Sequence, residues 1–431
     1  MTQRYDTYKD SGVQWLGEIP GHWGCVALSK VSDIVLGKML QSETKKETDI
    51  LIPYICAKDV HFDGIDMSNL KTMYFSQSEM DMYEVRKGDM LIVEGGAGAG
   101  NCSILRNNVK NIGIQNSIMI VRSNADVINS YICYFMSSIV RRGYVDFITN
   151  IATIPHFTKE KVSRTYIPLP PLSEQHSIVS FLDAKCGKID EWVTKKQKEV
   201  EHLQELKQRV IADAVTRGLN PHVKMKTTNI PWLKEIPEHW ENKRLAAMFT
   251  DDIETNKDFQ YKRAFKFNYG CLVPKNEIGD PEEYRDVYVK YSILNTGDIL
   301  INGLNLNYDF ISQRVACAPS DGIITSAYVV CRPRPNVNYD YYTYLFKAMD
   351  SMKLFHGMGT GIRLTLSFKE LKKQILPVPT IEEQRAIVIF INDKTSKIDK
   401  LIANITKEIE CIKEYKQRLI SDVVTGQIKV C

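Results

Sequence analysis

No stretch of this chain approaches the roughly 20 consecutive apolar residues that a helix needs to cross a bilayer, so no membrane role is expected. The opening MTQRYDTYKDSGVQWLGEIP is polar and has no apolar run, so no signal peptide is expected. The ten cysteines include no Cys-x-x-Cys pair, which removes the usual zinc and dithiol spacings and points to reduced, mostly buried thiols in a cytoplasmic protein. Charge of one sign is also missing, since 56 basic and 52 acidic side chains leave a net +4. That balance neither requires nor forbids a polyanion as partner, because binding follows local clusters.

Catalytic signatures are absent as well. Gly95 and Gly100 have P-loop spacing, but Asn101 and Cys102 stand where Lys and Ser or Thr must be. No Pro-Asp dipeptide opens a nuclease motif, and Glu43-Thr44-Lys45 is an E-x-K that charged composition yields by chance. No Asp/Asn-Pro-Pro-aromatic motif is present to grip a flipped base. Neither a catalytic residue nor a metal-ligand set is therefore assigned. His22 and His239, each in an EIP-x-HW sequence, are read as parts of structural staples.

What the chain has is a duplication. WLGEIPGHW from Trp15 returns as WLKEIPEHW from Trp232, and KGDMLI from Lys87 returns as TGDILI from Thr296. IPLPPLSEQHSIVSFLD from Ile167 matches LPVPTIEEQRAIVIFIN from Leu376, and LKQRVIADAVT from Leu206 matches YKQRLISDVVT from Tyr415. The first pair is offset by 217 residues and the other three by 209, so the second copy lost eight residues early in its head. A period this long means a duplicated domain pair, too long for a solenoid repeat.

Each copy has a mixed head and a long helix. In the heads MLIV, SIMIV and AYVVC read as strands, while YICYFMSS and YYTYLFKAM read as short helices. Proline segments then stiffen the chain, and Ser173 or Thr380 is placed to cap a helix with Glu174, or Glu382 and Glu383, in its first turn. A heptad follows without a break. In the first helix a is Val179, Cys186, Val193, Val200, Lys207 and Ala214, and d is Leu182, Ile189, Lys196, Leu203 and Val210. In the second, a is Val388, Thr395, Ile402, Ile409, Lys416 and Val423, and d is Ile391, Ile398, Ile405, Ile412 and Leu419. Arg217-Gly218 and Gly426 supply the stops. Lys207 and Lys416 share one a position, where a lysine either fixes register or snorkels at a frayed end.

The expected fold is thus two α/β (mixed α+β) heads joined by two long helices in an antiparallel coiled coil. The expected boundaries are 1–166 for the first head, 167–218 for its helix, 219–228 for a linker, 229–375 for the second head and 376–431 for the second helix and tail. About 44 helical residues span roughly 65 Å. Two similar but divergent heads on a rigid spacer suit a target made of two short patterns at fixed separation, which duplex DNA offers.

Basic and amide side chains in the heads are candidates for DNA contact. In the first head they are Lys45, Lys46, Lys58, Arg106, Asn107, Asn108 and Lys110. In the second they are Tyr261, Lys262, Arg263, Lys266, Asn268 and Tyr269, followed by Asn302, Asn305, Asn307, Gln313 and Arg314. One stretch invites an enzymatic reading: Glu94, Gly96, Gly98 and Gly100 mimic the glycine loop of S-adenosylmethionine-dependent methyltransferases. That chemistry needs a helix directly after the loop. NCSILRNNVKN reads instead as a strand and turn, and INGLNLNYDF in the second copy lacks the glycines.

YKDSGVQWLGEIPGHW, PLPPLSEQHSIVSFLD, PVPTIEEQRAIVIFIN and the head–helix–head–helix order resemble the specificity (S) subunits of type I restriction–modification enzymes, the HsdS family. The likeness runs nearly the full length. It implies a non-catalytic subunit whose heads are target-recognition domains, each reading half of a bipartite, asymmetric site in double-stranded DNA. It further implies that the paired helices act as a ruler and dock two methyltransferase (modification) subunits, with restriction/translocase subunits completing the enzyme. The docking residues would be Leu182, Ile189, Val193, Val200, Leu203, Val210, Ile391, Ile398, Ile402, Ile405, Ile409, Ile412 and Leu419. S-adenosylmethionine, ATP and Mg are expected on the partner subunits, with no cofactor in this chain. A recognition subunit of a methylation-only or two-subunit type II system has the same build. A coiled-coil adaptor with no role on DNA is the reading from a different class, and the divergence of the heads argues against it.

Overall fold

A computed structural model describes residues 3–148, 155–275, 280–361 and 364–430. The chain divides into two compact units, Met1–Lys196 with Lys407–Cys431, and Gln197–Thr406.

In the first unit, β1 (Ser32–Leu36), β2 (Met90–Val93), β3 (Cys102–Ile104) and β4 (Ile118–Ser123) form an antiparallel sheet in the order β1-β4-β2-β3. The unbroken apolar runs MLIV and IMIV follow from burial on both faces, since successive strand residues point opposite ways. Met90, Ile92, Met119 and Val121 pack on one face with Tyr131 and Phe135 of helix α1 (Asn129–Arg141). Leu91, Val93, Ile118 and Ile120 pack on the other with Ile55, Val60 and Ile114. The head is followed by the first long helix, α2 (Leu172–Arg217).

The second unit repeats the plan. Its strands include β5 (Phe249–Thr250), β6 (Phe265–Asn268), β7 (Cys271–Pro274), β8 (Ile299–Ile301), β9 (Val315–Cys317) and β10 (Val329–Pro333). Four of them form an antiparallel sheet in the order β5-β10-β8-β9, while β6 and β7 make a separate hairpin. Ile299, Ile301 and Cys331 face α3 (Tyr339–Ser351), and Leu300, Ala316 and Val330 face the opposite cluster. The second long helix is α4 (Ile381–Val424).

The proline segments before the long helices are short strands, Tyr166–Leu169 on Gly24–Ala27 and Ile375–Val378 on Glu241–Arg244. A two-stranded edge tolerates proline, which has no N–H to give. Thr380 caps α4 in a capping box: its hydroxyl accepts from Glu383 N and the Glu383 carboxylate accepts from Thr380 N, both at 3.3 Å. The expectation for Ser173 is corrected. Pro171 occupies the equivalent of Thr380 and α2 begins at Leu172, so Ser173 lies inside the first turn, its carbonyl accepting from the Ser177 hydroxyl at 3.1 Å.

Every a and d position of both helices is buried or half-buried, and the flanking b, c and f positions are largely exposed. In the first unit Ile178 and Leu182 of α2 share a core with Leu419, Val423 and Val424 of α4. Further along, Asp190 meets Lys416, so the two segments run antiparallel. In the second unit Ala214 and Val215 share a core with Ile387 and Ile391, and Lys207 meets Asp399, again antiparallel. The two lysines are not snorkelling at frayed ends. Lys416 Nζ lies 2.6 and 2.7 Å from the Asp190 carboxylate oxygens, and Lys207 Nζ 2.7 and 2.8 Å from those of Asp399. Both helices stop at glycines in the left-handed region, Gly218 at φ +76° and Gly426 at φ +75°.

The nine cysteines among the described residues are free thiols, with only Cys271 and Cys411 exposed.

Candidate nucleic-acid interface

The repeated motifs build the frame that holds each head. Glu174, in the first turn of α2, accepts from the Trp23 indole at 3.0 Å and the Tyr5 hydroxyl at 3.0 Å, and lies 2.6 Å from His22 Nε2. In the second unit Glu383 accepts from the Trp240 indole at 3.4 Å and lies 2.8 Å from His239 Nε2. The EIP-x-HW and P-x-P-x-x-x-E-Q sequences are therefore the two halves of one clamp. The glutamine that follows works on the head itself: Gln175 accepts from Ile128 N at 2.9 Å and donates to Asp126 O at 3.0 Å, fixing the entry to α1. Tyr131 of α1 donates to Val424 O at 3.1 Å and Tyr341 of α3 donates to Val215 O at 2.8 Å, so each head grips the end of a long helix as well as the start of one.

Burial pushes the Glu174 carboxyl up, but the hydrogen bonds from His22, Trp23 and Tyr5 together hold it below the ordinary glutamate value. A depressed pKa means stability present above the unfolded value, about 4.3, and lost as pH falls through the folded one. Glu174→Gln is accordingly expected to cost about 1.5–3 kcal/mol at pH 7, the range for hydrogen bonds to a charged group. Urea titrations should show this gap shrink below about pH 4. A gap constant from pH 7 to pH 3 would contradict the charged clamp.

A second buried device lies in each sheet. Asp89 of KGDMLI receives Arg122 Nε at 2.9 Å and Nη2 at 2.8 Å, and Asp298 of TGDILI receives Arg332 at 3.2 and 2.9 Å. The preceding glycines, Gly88 at φ +91° and Gly297 at φ +89°, make the turn that aims each aspartate inward. Sequence reading missed both arginines. The signal was there: one arginine follows each Gly-Asp, in the last strand of the same sheet.

The DNA candidates are dispersed over the first head. Lys45 and Lys46 are exposed on a turn whose backbone N–H groups bind Asp49, and Lys58 pairs with the buried Asp59 at 2.8 Å. Arg106, Asn107, Asn108 and Lys110 lie on an exposed turn, with Arg106 3.5 Å from Asp183 of α2. Arg106 and Asn107 line a groove of about 890 Å³ between head and helices together with Phe62, Tyr134 and Lys416; Lys45, Lys46 and Lys58 lie elsewhere.

In the second head Lys266, Asn268 and Tyr269 are exposed on the β6–β7 hairpin. Arg263 stacks on Phe265, Lys262 is paired with Glu282 at 2.8 Å, and Tyr261 is half-buried. Asn305 and Gln313 are exposed, whereas Asn302 turns its amide oxygen to Leu304 N and Asn307 is half-buried. Arg314 is a correction. It is fully buried, its two Nη groups donate to backbone carbonyls and the Asp309 carboxylate lies 3.6 Å from Nη2, so it stands out of a ligand's reach in this structure. Tyr308, Phe310 and Ile311 beside it are exposed, and as apolar side chains they carry no charge or amide signal in the sequence.

The glycine loop with Glu94 joins β2 to β3 as an antiparallel hairpin, with no helix behind it. It lacks the strand–loop–helix arrangement that a methyltransferase cofactor needs. Among the described residues no group of His, Cys, Asp or Glu is arranged to hold a metal, and no helix is long and apolar enough to cross a membrane.

The family model described as "Type I restriction modification DNA specificity domain" matches residues 20–202 and 237–411. The MjaVIII type I restriction enzyme specificity subunit of Methanocaldococcus jannaschii is 25% identical over 96% of this chain and 94% of its own length. The EcoBI specificity subunit of Escherichia coli is 21% identical over 97% of this chain and 89% of its own. A solved chain, described under complex assembly and conformational transition of the type I R-M system, superposes with a TM-score of 0.68 at 16% identity, covering 94% of this chain and 98% of that one. The family match in both halves of the chain and the nearly full-length relatives converge: the chain belongs to the type I restriction–modification DNA specificity (HsdS) family, whose members are the non-catalytic subunits of those enzymes.

Proposed function

We propose that this chain reads a bipartite, asymmetric double-stranded DNA target, one half through each head, and that its paired helices dock two methyltransferase subunits. The working boundaries of the reading parts are 1–166 and 229–375, with 167–218 and 376–431 as scaffold and 219–228 as linker. The EcoBI and MjaVIII relatives, named as specificity subunits of type I restriction enzymes, support a restriction/translocase subunit joining the assembly, and a cytoplasmic setting follows from that role. S-adenosylmethionine, ATP and Mg then belong to the partners.

One observation carries the reading. The two heads share strand order, buried Asp–Arg pair and helix clamp, yet differ in what the same two strands present. The hairpin loop between β2 and β3 has eight residues, four of them glycine, whereas the one between β8 and β9 has thirteen and a buried arginine. A common frame with unlike loops is what two different half-sites require. Exchanging residues 24–165 for the head of a related subunit should change one half of the methylated motif and leave the other intact. A methylome in which both halves change, or neither does, counts against independent heads.

A further inference from the structure

Loop 302–314 of the second head is built to hold a protruding apolar tip in one shape. Arg314 is fully buried, and its guanidinium donates to Asn302 O at 2.9 Å, Leu304 O at 2.8 Å and Asp309 O at 2.6 Å. Its own N–H donates to Asp350 at 2.7 Å, which ties the loop to α3. The Asp309 carboxylate accepts from Ile311 N at 3.1 Å and Ser312 N at 2.9 Å, and hydrogen bonds from Ser312 hold its pKa down at about 2. Phe310 stacks on His356 with ring centres 4.6 Å apart. Inside this rigid frame Tyr308 is 80% exposed and Ile311 is 91% exposed.

The tip has a polar rim. Gly270, at the turn of the β6–β7 hairpin, lies so close to Gln313 that a Cβ there would stand 2.7 Å from Gln313 Oε1. The turn of the hairpin therefore lies beside Gln313, and the hairpin carries Tyr269, 75% exposed in the left-handed region, with exposed Lys266 and Asn268. A cation, two amides, aromatic rings and an aliphatic tip are the side chains that meet phosphates, base edges and a thymine methyl group. Protein-docking patches, by contrast, are depleted in lysine. A preformed loop also loses little conformational freedom on binding. The equivalent loop of the first head, EGGAGAGN, has no such tip.

Resting on the DNA-reading function above, we propose that Ile311 and Tyr308 form an apolar reader of a thymine methyl, so that the half-site of the second head contains an A·T pair recognised through its 5-methyl group. The test uses the full chain assembled with its methyltransferase subunits, with the head exchange identifying which half-site belongs to the second head. Duplexes carry uracil in place of thymine at each position of that half in turn. At one position wild type should lose about fourfold in affinity, the worth of one buried methyl group. Ile311→Ser should bind the thymine duplex that much more weakly, show no preference over uracil, and relax the methylated motif at that pair alone. Ile311 is almost wholly exposed, so this variant should fold; Tyr308→Ser is the second probe.

A half-site without an A·T pair, indifference of wild type to uracil everywhere, or both variants keeping wild-type motif and affinity would overturn the proposal. So would variants that fold but fail to assemble, since the patch would then be a protein-docking surface. If wild type methylates no bipartite motif at all, the DNA-reading function falls first and this proposal with it.

Discussion

Ile409→Asp is expected to abolish stable assembly with the methyltransferase subunits and bipartite methylation with it, while the heads stay folded. Ile409 is 8% exposed at an a position of α4. A carboxylate there must ionise in an apolar seam or take up a proton, and either course costs several kcal/mol. Leu401→Asp in the same helix is the control. Leu401 is 51% exposed and off the a/d stripe, so the same chemistry should change stability by no more than about 0.5 kcal/mol. Co-elution with the methyltransferase subunit on a sizing column, with circular dichroism to monitor the heads, separates the two. Equal behaviour of the two variants would mean that the seam does not carry the assembly.

Asp298→Ala should severely weaken the second unit, by about 3–5 kcal/mol, because the half-buried Arg332 loses its counter-charge and keeps only the Asp252 and Ile293 carbonyls. Asp298 is 1% exposed and also accepts from Asn295 N at 2.8 Å, so the turn at Gly297 loses its anchor as well. Replacing both partners together, Asp298→Leu with Arg332→Leu, should recover much of the loss, since no unpaired charge remains. Chemical denaturation of the two variants measures this. A double variant no more stable than the single one would show that the turn, not the ion pair, is what the aspartate serves.

The architecture was largely legible because it rests on periodicity and duplication. The a/d stripe of both helices can be read from spacing alone, and the short apolar runs MLIV and SIMIV read as strands, while their burial on both faces is seen only in the fold. The long-range partners were not legible. Glu174 looked like a first-turn dipole residue, and only the fold brings Trp23, 151 residues away, onto it. Arg314 looked like a surface cation for the same reason, because nothing local shows that four carbonyl-bearing residues of its own loop wrap around it. Ser173 misled through its type: serine is a good cap, yet Pro171 had already started the turn. The binding face was least legible, since exposed Ile311 and Tyr308 resemble core residues in sequence and only a solvent-facing loop reveals them.

The division of the chain into units carries a consequence for its synthesis. The second unit is continuous, Gln197–Thr406, and can close its core as soon as that stretch has been made. The first unit cannot. Its core includes Leu419, Val423 and Val424, and its amino-terminal strand region receives Lys429 N on Gln3 O at 2.8 Å. The head made before the second unit therefore waits for residues 419–429, made after it, reversing the usual order in which the earlier domain finishes first. Until then Tyr131 of α1 lacks the Val424 carbonyl and the first core lacks Leu419, Val423 and Val424, so the nascent protein depends on holding factors or on rapid completion to avoid aggregation. A chain truncated just before Leu419 should accordingly keep the second unit folded and lose the first.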